Sequence, residues 1–279
     1  QYSLMAQLTK KFSYGISGMV AYTYSVAKDM TSNPGSSANS AWSSNVAVNS
    51  LNDPGLSFSG FNVPHRVVGS LTYRVEYFNS LATAISLYYS GSHQGRMSFT
   101  YLNDMNGDGN SSDLMYIPKT RDELQFTDIV ANNVVVATAD EQRDAFWNYV
   151  QNDDYLSDNK GKYAERYGKL EPWRNRFDVK IAQELFTNIG ASRKGVLTVS
   201  LDVLNLGNLL NKDWGTYQYM GLSNYDNIRL LNVAGYQNGQ PVYQLNATNI
   251  DKFKENSRFV DDVSTSSTWG MMLGIKLSF

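Results

Sequence analysis

From Trp269 to the terminal Phe279 the chain alternates between large apolar side chains and small or polar ones. Trp269, Met271, Leu273, Ile275, Leu277 and Phe279 form one series; Gly270, Met272, Gly274, Lys276 and Ser278 form the other. Successive strand residues point to opposite faces, so this segment makes a ribbon with one oily and one wet side. A tilted strand crosses a bilayer in roughly 9–11 residues, and an aromatic residue stands at each end, where an interfacial girdle belongs. The expected element is the closing strand of an outer-membrane β-barrel.

The same period of two recurs upstream. In the segment 173–186, Trp173, Phe177, Val179, Ile181 and Leu185 oppose Arg174, Arg176, Asp178, Lys180 and Glu184. Comparable runs predict strands over about 1–10, 14–28, 63–77, 81–95, 173–186, 196–208 and 268–279. The phase slips at Leu204 and Leu206, which calls for a bulge or a strand end there. Short breaks at 10–13, 78–80 and 187–194 alternate with long ones over about 29–62, 96–172 and 209–267. The long breaks run roughly 30, 70 and 60 residues, against a usual median of about 4–6. Brief periplasmic turns alternating with long extracellular loops are the rhythm of outer-membrane barrels. The fold class expected is therefore all-β: the last seven antiparallel strands of a large transmembrane barrel, with Phe279 on the periplasmic side. Tyr14, Tyr77 and Phe186 would join Phe279 in the periplasmic girdle, and Tyr24, Tyr89, Trp173 and Trp269 would form the outer one. Single-chain bacterial barrels have an even strand number of at least eight, so further strands are expected outside these 279 residues.

Composition agrees without announcing a membrane protein. Mean hydropathy is −0.38, and no apolar run approaches the ~18 residues of a helical span. A barrel hides in this way because only alternate strand residues meet lipid. The 19 Tyr, 21 Gly and 5 Trp suit strands, turns and interfacial belts. The absence of Cys excludes disulfides and Cys-based metal sites, and a net charge of −2 leaves no nucleic-acid footprint. No nucleophile–base constellation or phosphate-cradling glycine loop is present, so no enzymatic activity is expected.

The long loops carry the candidate sites. Asp104, Asn106 and Asp108 alternate ahead of Gly109, with Asn110 and Asp113 following. Hard oxygen ligands at this spacing suit Ca²⁺, although Met115 stands where an EF-hand has its bidentate Glu. The same residues equally suit an Asn/Asp/Gly turn without an ion. Thr138-Ala-Asp-Glu141 is a capping box and predicts a helix from about Ala139 to Asp153, which carries Trp147 as a residue for substrate contact or loop packing. Trp214, Tyr217, Tyr219 and Tyr225 are interleaved with Asn, Ser and Gln, ahead of an Asn238-Gly239 hairpin turn. Such aromatics suit sugar or peptide binding, and they equally suit holding a long loop together. The first loop, rich in Ser, Asn and Gly, is expected to be mobile. Arg66, Arg74, Arg174, Arg176, Asp178, Lys180, Glu184 and Asp202 face the wet side, where pairing across strands or contact with a plug is the default.

Several of these stretches together resemble one family. Val63-Pro-His-Arg66, the DMNGDG…DLMYIP run from Asp104 to Pro118, AFWNYV from Ala145 to Val150, Pro172-Trp-Arg-Asn-Arg-Phe-Asp178 and LDVLNLGNLLNKDWG from Leu201 to Gly215 resemble TonB-dependent outer-membrane transporters. The likeness is to the Oar-like group related to SusC-type transporters of the Bacteroidota, and the aromatic C-terminus fits it. The resemblance implies a plugged barrel of about 22 strands, an N-terminal plug and a TonB-contacting segment outside this chain, and energised solute uptake through the outer membrane. It implies recognition of Phe279 by the barrel-assembly machinery, contact with outer-membrane lipid and lipopolysaccharide, and a possible surface lipoprotein partner. The solute, whether glycan, peptide or chelate, does not carry over. Two other readings remain open: a barrel-based scaffold or adhesin that moves nothing, and a secreted calcium-dependent β-sandwich module.

Overall fold

The computed structural model describes the chain apart from residues 34, 190–192, 222, 225–226 and 247–258, and apart from the side chains of 187–189, 193–194 and 223–224. Strands take 52% of the described residues and helices 12%, which places the chain in the all-β class. Seven long strands, β1 (Tyr2–Lys11), β2 (Ile16–Val26), β3 (His65–Tyr77), β4 (Leu81–His93), β5 (Trp173–Ile189), β6 (Arg193–Leu204) and β7 (Gly270–Ser278), form one antiparallel sheet in chain order. Each is joined to the next by a short turn or a long insertion, in strict alternation. The sheet is open: among the described residues β1 pairs only with β2, and β7 only with β6.

Register keeps the two faces chemically separate across the whole sheet. One row of partners reads Ile16, Tyr73, Ile85, Ile181, Leu201 and Leu273. The adjacent row, pointing the other way, reads Ser17, Thr72, Ser86, Lys180, Asp202 and Met272. A slip of one residue in any strand would mix these sets, so the pattern specifies the pairing. Every residue of the first row is exposed, from 36% at Leu201 to 75% at Leu273. On the polar face Ala82 and Ala182 are buried instead. The small alanines of β4 let Arg74 reach over that strand to Glu184 at 2.8 Å, while it also pairs with Glu76 on its own strand. Lys180 meets Asp202 at 2.9 Å on the same face. Two amides fall on the apolar face, and aromatic donors satisfy both. Tyr77 Oη donates to Gln183 Oε1 at 2.9 Å, and Tyr89 Oη to Asn175 Oδ1 at 2.8 Å.

Of the expected girdle, Tyr24, Tyr77, Tyr89, Trp173 and Phe279 belong to the apolar series, and Tyr14 sits fully out on the first turn. Phe186 is corrected. It lies in the even series of β5 with Lys180 and Glu184, opposite Val196, and so on the polar face. A strand allows no other outcome without a bulge, and none interrupts this pairing. The phase slip expected near Leu204 is the strand end: Asn205 turns left-handed at φ 51°, and a short helix, Leu206–Leu210, follows.

The principal hydrophobic core lies outside the seven-stranded sheet. It joins Met97, Phe99, Phe146, Tyr149, Ile228 and Tyr243, among others, all from the second and third long insertions. Strand Arg96–Tyr101 pairs in parallel with Asn227–Gln237, which forms a hairpin with Gln240–Leu245 through the turn at Asn238 and Gly239, both at positive φ. Helix Ala139–Asn152 begins with both bonds of the Thr138–Glu141 capping box and buries Phe146, Tyr149 and Val150. The insertions thus form a packed outer layer rather than separate loops. The first insertion, expected to be mobile, is tied to that layer by Arg166, which bonds Asp29 Oδ1 at 3.1 Å, Asn45 Oδ1 at 2.9 Å and the Met30 carbonyl. Leu114 N also donates to the Ala47 carbonyl at 2.8 Å.

Candidate functional site

The outer layer meets the sheet at the long-insertion ends of β3 to β6, and Asn205 organises the join. Its left-handed backbone ends β6, its N–H donates to Asp178 Oδ1 at 2.7 Å, and its side-chain amide donates to the carbonyls of Gly215 and Ser267 at 2.9 and 2.8 Å. Gly215 has φ +66°, and a Cβ there would lie 2.2 Å from Asn205 Oδ1. Only glycine permits this approach. Asn208 closes the other side, accepting from Trp269 N at 3.1 Å. The clamp lays the segment 211–218 across the strand ends and leaves a cleft on each side of the sheet.

On the polar face a cleft of about 360 Å³ is lined by Arg66, Arg174, Arg176, Asp178, Tyr217 and the hydroxyls of Ser90 and Ser92. Register explains the gathering: Arg66 on β3 and Arg174 on β5 both flank Ser92 on β4, and Arg176 lies beside Ser90. Arg176 Nε pairs with Asp178 at 2.8 Å. Arg174 donates to the Gly215 carbonyl at 2.8 Å and lies 3.7 Å from the centre of the Tyr217 ring. Among the described residues neither Arg66 nor Arg174 has a carboxylate within ion-pair distance. The cross-strand pairing expected of the wet-side charges therefore holds for Arg74 with Glu184 and for Lys180 with Asp202, whereas Arg176 pairs within its own strand and these two find no carboxylate.

On the apolar face a larger cleft, about 670 Å³, is lined by Tyr89, Trp173, Asn175, Phe177 and Trp214. Trp173 Nε1 and Tyr89 Oη both donate to Asn175 Oδ1, at 3.0 and 2.8 Å, which fixes the two rings around the opening.

The expected substrate-contact aromatics do not form one surface. Trp214 borders the apolar-face cleft and Tyr217 the polar-face one. Tyr219 is exposed on a short strand, Gln218–Met220, paired with Phe259–Asp261. Trp147 packs partly against the outer core, with Lys160 Nζ 5.5 Å from its ring. Tyr225 lies outside the described residues. Sequence reasoning missed the arginine cleft. Its signal was the spacing of Arg174 and Arg176 with Arg66, all on the wet face within a few residues of a long insertion.

The 104–113 loop is shaped by its own polar groups. Asp104 accepts from the N–H groups of Gly107 and Gly109 at 2.7 and 2.8 Å, Asp108 from Asn110 at 2.9 Å, and Asp113 from Met105 at 2.8 Å. The Gly109 and Gly107 N–H groups hold the Asp104 carboxyl below its usual range, whereas burial pushes Asp113 up. No three His, Cys, Asp or Glu side chains converge as metal ligands among the described residues. The calcium expectation for Asp104, Asn106, Asp108, Asn110 and Asp113 therefore rests on spacing alone. Compared with known proteins, the chain matches no family model, no curated protein and no solved structure.

Proposed function

We propose that this chain is the C-terminal part of a TonB-dependent outer-membrane transporter, its seven strands forming a sector of a barrel of about 22 strands and its outer layer forming part of the solute entrance. One observation carries the membrane part: the sheet exposes the row from Ile16 to Leu273 while burying small residues on its charged face. A soluble sandwich needs a second layer over such a face; a bilayer supplies one directly. The outer layer is packed around its own core, and its Tyr217 borders the charged cleft, which suits an entrance. The TonB-dependent part rests on the motif resemblance. The N-terminal plug, TonB and the barrel-assembly machinery reading Phe279 are partners in this proposal, which involves no catalysis.

Uptake of a broad solute panel by cells with and without the gene, each with TonB present and absent, tests the transport reading. Accumulation of at least one solute that requires both the gene and TonB is expected. Identical uptake across the panel would instead favour a barrel used as a surface scaffold.

A further inference from the structure

The polar-face cleft carries an uncompensated positive charge in a partly enclosed place. Three guanidinium groups line it, and Asp178 is the one carboxylate among its described lining residues. That carboxylate is already engaged by Arg176 Nε and by the Asn205 N–H. Arg66 and Arg174 stand on either side of Ser92, two strand spacings apart, or roughly 10 Å between their backbones. Arg174 is held in place from outside the sheet by the Gly215 carbonyl and the Tyr217 ring. A cation pressed on an aromatic face keeps its charge and loses mobility. A guanidinium fork matches carboxylate and phosphate oxygens in a way no neutral group does, and the outer layer strengthens that attraction by excluding part of the solvent.

We infer that this cleft is an anion subsite, and that the solute entering past the outer layer bears carboxylate or phosphate groups that bridge Arg66 and Arg174 over the Ser92 hydroxyl. The ligand's being a transported solute rests on the proposed transport function; the anion binding itself does not. The cleft volume of about 360 Å³ admits one charged portion of a ligand, such as an acidic sugar ring or one or two acidic amino-acid residues, rather than a large chelate.

Calorimetric titration of the natural full-length protein in detergent with citrate, pyrophosphate and triglutamate, and with triglutamine as the neutral control, tests the assignment. At least one anionic probe should bind while triglutamine does not. Removing one guanidinium by R66Q or R174Q should weaken that binding roughly tenfold. The double variant should lose it, and R66K with R174K should keep a measurable part because the charge remains. Retention of the heat-resistant folded band on gels establishes that each variant is folded. The inference is overturned if no anionic probe binds, or if binding is the same in the double variant. It is also overturned if the double variant leaves anion binding intact but opens a new protease site in the N-terminal part, since the anion would then be an acidic side chain of the protein itself. Anion binding lost in the double variant, beside uptake that ignores TonB, would retain the subsite and reject the transport reading.

Discussion

Ile181→Arg should destabilise the protein in a bilayer by about 2–4 kcal/mol, the range for a cation placed at the midplane on the lipid side of a barrel. Ile181 sits midway along β5, is 42% exposed, and has Ile85 and Leu201 beside it in the apolar row. The size of the effect separates two physical situations. A partly exposed isoleucine facing water accepts arginine at a cost within about 0.5 kcal/mol. The same position facing hydrocarbon cannot. Denaturant unfolding of the full-length protein in phospholipid vesicles reads the difference. Lys180→Gln one position along is the control, because Lys180 faces the other way and meets Asp202; its effect should stay well below that of Ile181→Arg. Equal, small effects at both positions would place water on both faces.

A second large effect is expected inside the outer layer. Arg166 is among the largest fully buried side chains, at 1% exposure, and its partners Asp29, Met30 and Asn45 all belong to the first long insertion. Burial alone disfavours the guanidinium and holds its pKa below the ordinary arginine value; the Met30 and Asp29 carbonyls and the Asn45 and Asp29 side-chain oxygens that accept from it offset that cost. Arg166→Met keeps most of the volume and removes every donor, leaving Asp29 without its cation. The loss should be about 3 kcal/mol, the lower end for breaking a buried pair because Asp29 is partly exposed. Limited proteolysis between residues 30 and 62 should then run at least about tenfold faster, with the seven-stranded sheet still intact. Unchanged cleavage would mean that the Ala47–Leu114 contact suffices to hold the insertion.

The seven-stranded sheet was legible because β-sheet chemistry with two different faces writes itself directly into sequence parity. Ile181, Leu201 and Leu273 declare their face one residue at a time, and a missed phase shows at once, as at Phe186. Helix Ala139–Asn152 was legible for a similarly local reason, since Thr138 and Glu141 cap each other within one turn. The outer layer was not. Strand Arg96–Tyr101 is buried on both faces and so does not alternate, and its parallel partner Asn227–Gln237 lies well over a hundred residues away. Nothing local distinguishes such a segment from a loop. The arginine cleft falls between these cases. Parity assigns Arg66, Arg174 and Arg176 to one face, but whether each finds a carboxylate depends on neighbouring strands and on Tyr217 arriving from the final insertion. The role of Asn205 and Gly215 is likewise tertiary: a short sequence run becomes a clamp only when β6, β7 and the segment between them are brought together.

Because these 279 residues contain no cysteine, a thiol introduced among them can report which side of a membrane its position occupies, with the unsubstituted protein as the blank. Ser111, in the second insertion, and Ser13, in the turn between β1 and β2, are both exposed and stand at opposite ends of the sheet. Whole cells carrying Ser111→Cys or Ser13→Cys in the full-length protein would be treated with a maleimide too large to pass the outer membrane. Labelling at position 111 in intact cells, with labelling at position 13 only after the membrane is permeabilised, is the predicted result. Equal labelling of the two in intact cells, or the reverse order, would contradict a membrane-spanning sheet with its long insertions outside.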